Sequence, residues 1–312
     1  MHNKYIYSNI IGTFVFNEHF KPMNSIMFKN TNEYAQKEKY EKDFSKKYSH
    51  LKKPEGKELE KILEYFKKPE YFKEFRTKNI VITRQLIKKS VKDELLIIQA
   101  INNISDIDKA INTLTKRLRE WYELYNPEFS HSIDKQELFV ELIMKKNKQE
   151  LLQEINEKNS MGADFSKEDL EPIMNLAKKI QGLLELRFDQ ENYLEKIMKK
   201  VCPNMLAITG ITTGAKLLSQ AGSIKKMVEF PASTIQLLGA EKALFRHLTS
   251  KAKSPKYGFL HEHPLIMKNK QKLHGKIARA LADKISIAIK VDYFKGKFIG
   301  NELINKLEKK WK

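Results

Sequence analysis

The sequence predicts a mainly α protein in three parts: a small α/β N-terminal domain over residues 1–79, a long antiparallel coiled-coil hairpin over 80–200, and a compact all-α C-terminal domain over 201–312. Three observations predict it. Strand-like segments are confined to about the first 30 residues. Two later stretches carry apolar residues at alternating steps of four and three, the signature of a helical seam. The last third combines amphipathic runs with Gly and Pro breaks, as packed short helices do.

In the first part, Tyr5-Ile-Tyr7, Thr13-Phe-Val-Phe16 and Ile26-Met-Phe28 are β-branched and aromatic, separated by Ser8-Asn9, Gly12 and Asn24-Ser25. Residues 33–78 are charged and rich in Tyr and Phe, with breaks at Pro54, Gly56 and Pro69. This reads as short helices on a small sheet, the aromatics serving as core.

The clearest periodicity is Ile107, Ile111, Leu114, Leu118, Trp121 and Tyr125, extended upstream by Ile97, Ile101 and Ile104. Asn126-Pro127 ends it. A return helix repeats the spacing with Ile173, Leu176, Ile180, Leu183, Leu194, Ile197 and Val201. Ser166 and Asp169 form a capping box at its start, and Arg187 and Gln190 interrupt its seam as a polar break or register device. The joining segment is expected to hold one helix near Lys135–Glu157 and a turn at Ser160-Met-Gly162. Such an arm is either a spacer or a surface whose tip, with Ile133, Leu138, Phe139, Leu142 and Ile143, packs on a second copy.

In the last part, Leu206, Ile211, Leu217, Leu218, Ile224, Leu237, Leu238, Leu244 and Phe245 are expected to supply core. Lys276–Lys290 reads as an amphipathic helix with Ile277, Leu281, Ile285 and Ile289 inward. Ser233 and Gln236 have capping-box spacing, Gly239 interrupts, and a second helix is expected to start at Ala240 with Glu241 in its first turn. Lys242, Arg246 and His247 follow at helical spacing and can share one side.

Charge is unevenly placed. From residue 201 onward there are 21 Lys and Arg against 7 Asp and Glu, a net +14 of the formal +19. That concentration points to an anionic partner for this part. The lone cysteine, Cys202, excludes an internal disulfide framework and a cysteine-based zinc site, fits a reducing compartment, and reads as inert packing. No apolar run approaches the roughly 20 residues that span a bilayer. No apolar segment follows Lys4, so no signal peptide is read.

Catalytic motifs fail on inspection. Gly210-Ile-Thr-Thr-Gly-Ala-Lys216 has its glycines one residue too close for a phosphate loop, with Leu217 where a Ser or Thr is required. His261-Glu-His263 has Leu265 where a zinc-protease histidine would stand. No nucleophile has a recognisable base partner, so the residues read as a binding protein with no cofactor and no metal.

Ala221-Gly-Ser-Ile-Lys-Lys226, Pro231-Ala-Ser-Thr234, Gly239-Ala-Glu-Lys-Ala-Leu-Phe-Arg246, Pro255-Lys-Tyr-Gly258, Gly275-Lys-Ile-Ala-Arg279 and Ala288-Ile-Lys-Val-Asp-Tyr-Phe294 resemble, in order, the signature of the Nop family of core proteins in box C/D guide RNA particles. Leu95-Leu-Ile-Ile-Gln-Ala100, Arg117-Leu-Arg-Glu-Trp-Tyr122 and Gly12-Thr-Phe-Val-Phe16 resemble it as well. The resemblance implies a scaffold without catalysis of its own, enabling RNA-guided 2′-O-ribose methylation. Its partners would be box C/D guide RNA, the methyltransferase fibrillarin with its own S-adenosylmethionine, a small kink-turn-binding protein and a second copy of itself. The N-terminal domain would hold fibrillarin, though it is shorter than is usual in the family. The coiled coil would dimerise, and the C-terminal domain would clamp RNA. RNA contacts would be expected at Gln236, Gly239, Ala240, Glu241, Lys242, Arg246, His247, Lys253, Lys256, Tyr257, Lys276 and Arg279. With no long lysine-rich tail, the chain resembles the archaeal, hence cytoplasmic, type; a eukaryotic one would be nucleolar. The alternatives are a spliceosomal Nop-domain protein that bridges a small nuclear RNA and its kink-turn protein, and a coiled-coil protein whose basic end binds nucleic acid without specificity.

Overall fold

The computed structural model describes residues 3–250 and 252–311, so residues 1, 2, 251 and 312 lie outside the description. The chain is mainly α, with one small sheet near its N-terminus. It forms two compact units, Met1–Lys92 and Asp93–Lys312.

In the first unit, β1 (Lys4–Ser8), β2 (Gly12–Phe16) and β3 (Pro22–Met27) pair antiparallel in succession. A short β4 (Leu51–Lys52), invisible in the sequence pattern, pairs parallel to β1 and gives the order β3-β2-β1-β4. The two-residue alternation of a strand sorts the side chains. Tyr5, Phe14 and Phe16 pack with Ile62 and Phe66, whereas Ile6 and Val15 pack with Phe44. The covering helices are α1 (Thr31–Ala35), α2 (Lys37–Lys47) and α3 (Lys57–Tyr65). Gly56, at φ +51°, precedes α3, and Pro69 opens α4 (Pro69–Ser90), a position where its missing N–H costs nothing. Helix α4 runs through residues 79 and 80, where the sequence suggested a boundary, and buries none of its side chains. Phe72 and Phe75, expected as core, are exposed along with Leu86 and Ile87.

In the second unit, α5 (Asp93–Glu123) and α9 (Lys167–Val201) are about 45 and 50 Å long at 1.5 Å per residue. They are antiparallel: Lys200 pairs with Asp93 at 2.7 Å, and Arg187 with Asp108 at 2.9 Å. The Ser166–Asp169 capping box starts α9 as expected. Ile107, Ile111 and Leu118 share a buried cluster with Ile173, Ala177 and Ile180. The seam departs from the expected repeat at its far end. Trp121 is 42% exposed and Tyr122 is buried in its place, because an α-helix turns at 3.6 residues and drifts away from a strict seven-residue repeat.

The single helix expected near Lys135–Glu157 is two, following α6 (Pro127–Ser132). Between α7 (Gln136–Lys145) and α8 (Lys148–Glu154), Asn147 accepts from the Glu150 N–H while Glu150 accepts from the Asn147 N–H, closing a capping box mid-segment. Phe139 and Ile143 are already buried within the chain, with the Phe139 ring stacked on Phe129. Ile133 and Leu142 pack half-buried on the same cluster, so of the five tip residues only Leu138 is exposed. Arg187 is the polar break in the seam. Its Nη1 donates to Glu137 at 2.8 Å, and its Nε lies beside Asp108 off the line of a hydrogen bond. Among the described residues no helix is long and apolar enough to cross a membrane.

The C-terminal helices are α10 (Pro203–Thr209), α11 (Ile211–Ala221), α12 (Ile224–Glu229), α13 (Ala232–Leu237), α14 (Glu241–Thr249), α15 (Pro264–Met267), α16 (Gln271–Tyr293) and α17 (Gly300–Trp311), with a 3-10 turn at Phe259–Glu262 before α15. Helix α16 is central, burying Ile277, Leu281, Ile285 and Ile289 as its periodicity predicts. Ile97, Ile101 and Ile104 of α5 join this core with Leu194 and Met198 of α9. Cys202 is wholly buried beside Met198, and burial pushes its thiol up to about 12. Both ring nitrogens of His263 are occupied: Nε2 donates to the Ile208 carbonyl at 2.8 Å, and Nδ1 accepts from the Leu265 N–H at 3.2 Å. Burial lowers its pKa below the usual 6.5.

Two predictions follow from these contacts. Replacing Arg187 by Met should lower stability by about 1 kcal/mol at low ionic strength and far less at about 1 M salt, because the ion pairs are partly exposed and screened. Thermal melts at both salts check this, and an equal loss at both would assign the residue a packing role. His263 stays neutral when folded, so stability is full above pH 6.5 and falls as the pH drops towards the depressed folded value, where the unfolded chain takes up a proton that the folded chain refuses. Denaturant titrations between about pH 7.5 and 5 should show a shallower pH dependence in His263→Asn than in the parent. Equal slopes would contradict the assignment.

Candidate nucleic-acid interface

The surface around α14 is built by the turn before it and the loop after it. Gly239, at φ +90°, makes the turn, and a Cβ there would meet the Phe259 ring at 2.7 Å. Glycine is therefore required twice, for the backbone angle and for the close approach. Helix α14 then starts with Ala240 as N-cap. Ala240 has no side-chain acceptor to offer, and the Glu241 carboxylate instead accepts from the Gly239 N–H at 2.8 Å. The one acid of the segment is thereby tied to its own turn.

The expected capping box at Ser233 and Gln236 does not form. Pro231 is the N-cap of α13, so Ser233 lies inside the helix. Gln236 Nε2 donates to the Lys256 carbonyl at 2.6 Å and the Gln236 carbonyl accepts from the Gly258 N–H, which pins the following loop to α13. Tyr257 is half-buried in the core, with its hydroxyl 3.5 Å from His274 Nδ1 and its ring stacked on His261. His247 Nδ1 donates to the Ala252 carbonyl at 2.6 Å and closes the turn after α14. Gln236, Tyr257 and His247, expected as RNA contacts, are thus engaged in holding the scaffold of the surface.

The cations behave differently. Lys242, Arg246, Lys253, Lys256, Lys276 and Arg279 are all exposed, and among the described residues none makes an ion pair or side-chain hydrogen bond. Lys242 and Arg246 are one turn apart on α14, and Lys276 and Arg279 share a side of α16. The stem of Lys256 lies over Gly275 and so brings the loop to the start of α16. Lys216, the lysine of the apparent phosphate loop, is instead paired with Glu262 at 2.8 Å.

One feature of the surface ran against the sequence reading. Helix α14 buries no residue at all. Phe245, expected as core, is 68% exposed, and Leu248 is 74% exposed. They are three residues apart and form an apolar stripe beside the Lys242–Arg246 pair. The spacing of Leu244, Phe245 and Leu248 is that of a core-facing helix, and only the tertiary arrangement reveals that, among the described residues, Phe245 and Leu248 stay exposed.

Gly239→Ala should destabilise the chain by about 2 kcal/mol or more, since the positive φ and the ring contact act together. A chemical denaturation curve within about 0.5 kcal/mol of the parent would contradict that geometry.

A family model described as "snoRNA binding domain, fibrillarin" matches residues 103–312. An uncharacterised NOP5 family protein of Methanocaldococcus jannaschii is 42% identical over 260 residues, covering 77% of this chain and 63% of the relative. Nucleolar protein 56 of Dictyostelium discoideum is 40% identical over 234 residues, covering 68% of this chain and 43% of the relative. This chain thus spans less than two thirds of the length of these curated relatives. A solved structure titled as a fibrillarin/Nop5p complex aligns over 98% of both chains at 23% identity, with a TM-score of 0.46.

Proposed function

This chain belongs to the Nop family, and from that premise we propose that it is a non-catalytic scaffold of a box C/D guide RNA particle, with its α14 surface clamping an RNA already held by a kink-turn-binding protein. The observation that carries the reading is the composition of that surface. Unpaired Lys242 and Arg246 call for phosphates, while the adjacent Phe245 and Leu248 call for an apolar cover that a phosphate backbone lacks. A partner that is part RNA and part protein satisfies both. Arg246 can make two parallel hydrogen bonds to one phosphate. Such contacts read the shape of a bent RNA, because A-form helices hide base edges in a deep groove, and sequence choice then belongs to the guide.

The other parts take complementary roles in this proposal. The first unit would hold fibrillarin, and the exposed apolar side of α4 with Phe72, Phe75, Leu86 and Ile87 supports a protein partner there. The hairpin would self-associate through exposed residues such as Leu138, Leu186 and Phe188, since Phe139 and Ile143 are occupied within the chain. S-adenosylmethionine would be bound by fibrillarin. The scaffold then contributes by positioning, converting an encounter between enzyme and target 2′-hydroxyl into a step within one assembly.

The test is a gel-shift titration at fixed salt with a kink-turn RNA, alone and bound to its small protein, beside a straight duplex of equal length. Tight binding only to the RNA–protein complex is expected. The double charge reversal Lys242→Glu with Arg246→Glu should weaken it by about tenfold or more and flatten its salt dependence. Phe245→Ser with Leu248→Ser should weaken it without changing the melting temperature, because both side chains are exposed. Equal affinity for all three RNAs would reject the clamp and leave a nonspecific basic patch.

A further inference from the structure

The connection between α16 and α17 is a second candidate contact. With the last residue of α16 it reads Tyr293-Phe-Lys-Gly-Lys-Phe298, two lysines flanked by rings. Phe294 is 73% exposed and Phe298 52% exposed, with Tyr293 also open to solvent. None of them belongs to the buried core, and the rings of Tyr293 and Phe294 meet edge to face with centroids 5.1 Å apart. Lys290, Lys295 and Lys297 are exposed and make no ion pair among the described residues. Asp292 is the only carboxylate between Asp283 and Glu302, and it is turned inward. Its Oδ1 accepts from the backbone N–H and the side-chain amide of Asn204, and its Oδ2 from the Met205 N–H. The outer side of the loop therefore carries rings and positive charge, while the one acid of its own stretch is turned away.

The loop is held in a defined shape. Lys295 N–H bonds to the Asp292 carbonyl and Gly296 N–H to the Val291 carbonyl, the two bonds of a Schellman cap on α16. Ile299 N–H donates to Asn204 Oδ1 at 2.6 Å and anchors the far side. In such a cap the left-handed position usually falls to glycine, which has no Cβ to clash. Here it falls to Lys295, at φ +55°, although Gly296 stands next in the chain. Lys295 therefore holds a left-handed angle that glycine would adopt without strain.

We propose that Tyr293, Phe294 and Phe298, with Lys295 and Lys297, form a platform for unpaired nucleotides of RNA, the rings stacking on bases and the lysines meeting the intervening phosphates. Every base has a flat face, so stacking on exposed aromatic rings beside cations suits a single strand of any sequence. A duplex, whose bases are already stacked, leaves the rings without partners. The platform stands about 27 Å along α16 from the Lys256–Gly275 contact, at 1.5 Å per residue, so it is separate from the Lys256 side of the α14 surface. The inference rests on its own residues and does not require the clamp to be correct.

Fluorescence anisotropy with the whole chain tests it, using a labelled 12-nucleotide oligouridylate and a duplex of equal length. The parent should bind the single strand more tightly than the duplex. Phe294→Ala with Phe298→Ala should weaken single-strand binding by about tenfold, corresponding to the loss of one or two stacked bases. The same variant should bind the kink-turn RNA–protein complex within about twofold of the parent. Lys295→Gly should also weaken the single strand while raising the melting temperature, a combination that a purely structural role would not produce. Single-strand binding unchanged in both variants would overturn the proposal and reassign the rings to a protein contact. Equal loss of both ligands in the double alanine variant would also overturn it, by showing that the loop serves the α14 surface.

Discussion

The packing of α5 against α9 is the constraint on which the rest of the second unit depends. One length of the seam, with Ile107, Ile111, Leu118, Ile173, Ala177 and Ile180, closes an interior of its own with the helices of the tip. The other length, with Ile97, Ile101, Ile104, Leu194 and Met198, opens into the core built around α16. The hairpin is therefore continuous with the C-terminal helices instead of being joined to them by a linker. Further polar ties reinforce the junction: Glu94 accepts from the Ile224 N–H at 3.0 Å, and Ser219 bonds with Asn102. A shared core of this kind couples the hairpin to the C-terminal helices, because close-packed interiors transmit displacement instead of absorbing it.

Against that shared core, α14 is conspicuous for what it does not bury. A helix of nine residues is too short to be stable through its own hydrogen bonds, and most helices of this size persist because one face is packed. Helix α14 is held at its ends instead. Gly239 and Glu241 fix its start, and at its end Ser250 bonds back to the Arg246 carbonyl while His247 bonds to Ala252. The arrangement leaves the sides of the helix free while their orientation is set in advance, which reduces the ordering cost that binding would otherwise meet.

Much of this was legible in the sequence, and the exceptions have physical causes. The strands, the capped start of α9, the inward face of α16 and the cations around Lys242 follow from local spacing and local chemistry. Trp121 was misplaced because a seven-residue template was extended beyond the point where helical drift matters. Ser233 has the right neighbour at the right distance for a cap, but Pro231, already in extended conformation, takes the position first. Phe245 defeated the reading in a more informative way. Nothing local distinguishes a phenylalanine that packs from one that waits for a partner, so its exposure could emerge only from the tertiary arrangement. The same holds for Phe139 and Ile143, whose burial within one chain is a property of the tip helices collectively.

Helix α16 ties the two basic surfaces together in a way that bears on how RNA would lie on the unit. Its interior face is wholly committed to the core, and its ends are fixed by the Lys256 loop on one side and by Asn204 and Asp292 on the other. The separation between the Lys256–Gly275 contact and the aromatic loop is thus set by the length of one helix. A duplex region bound at one end and a strand bound at the other would have to be separated by that length. Two contacts on a fixed spacer act on one molecule with a high effective concentration, but only where the RNA can span the distance without strain. If both surfaces hold one RNA, a straight α16 would favour RNAs that change from paired to unpaired at a set distance from the bend, a selection by geometry that needs no base-specific contact.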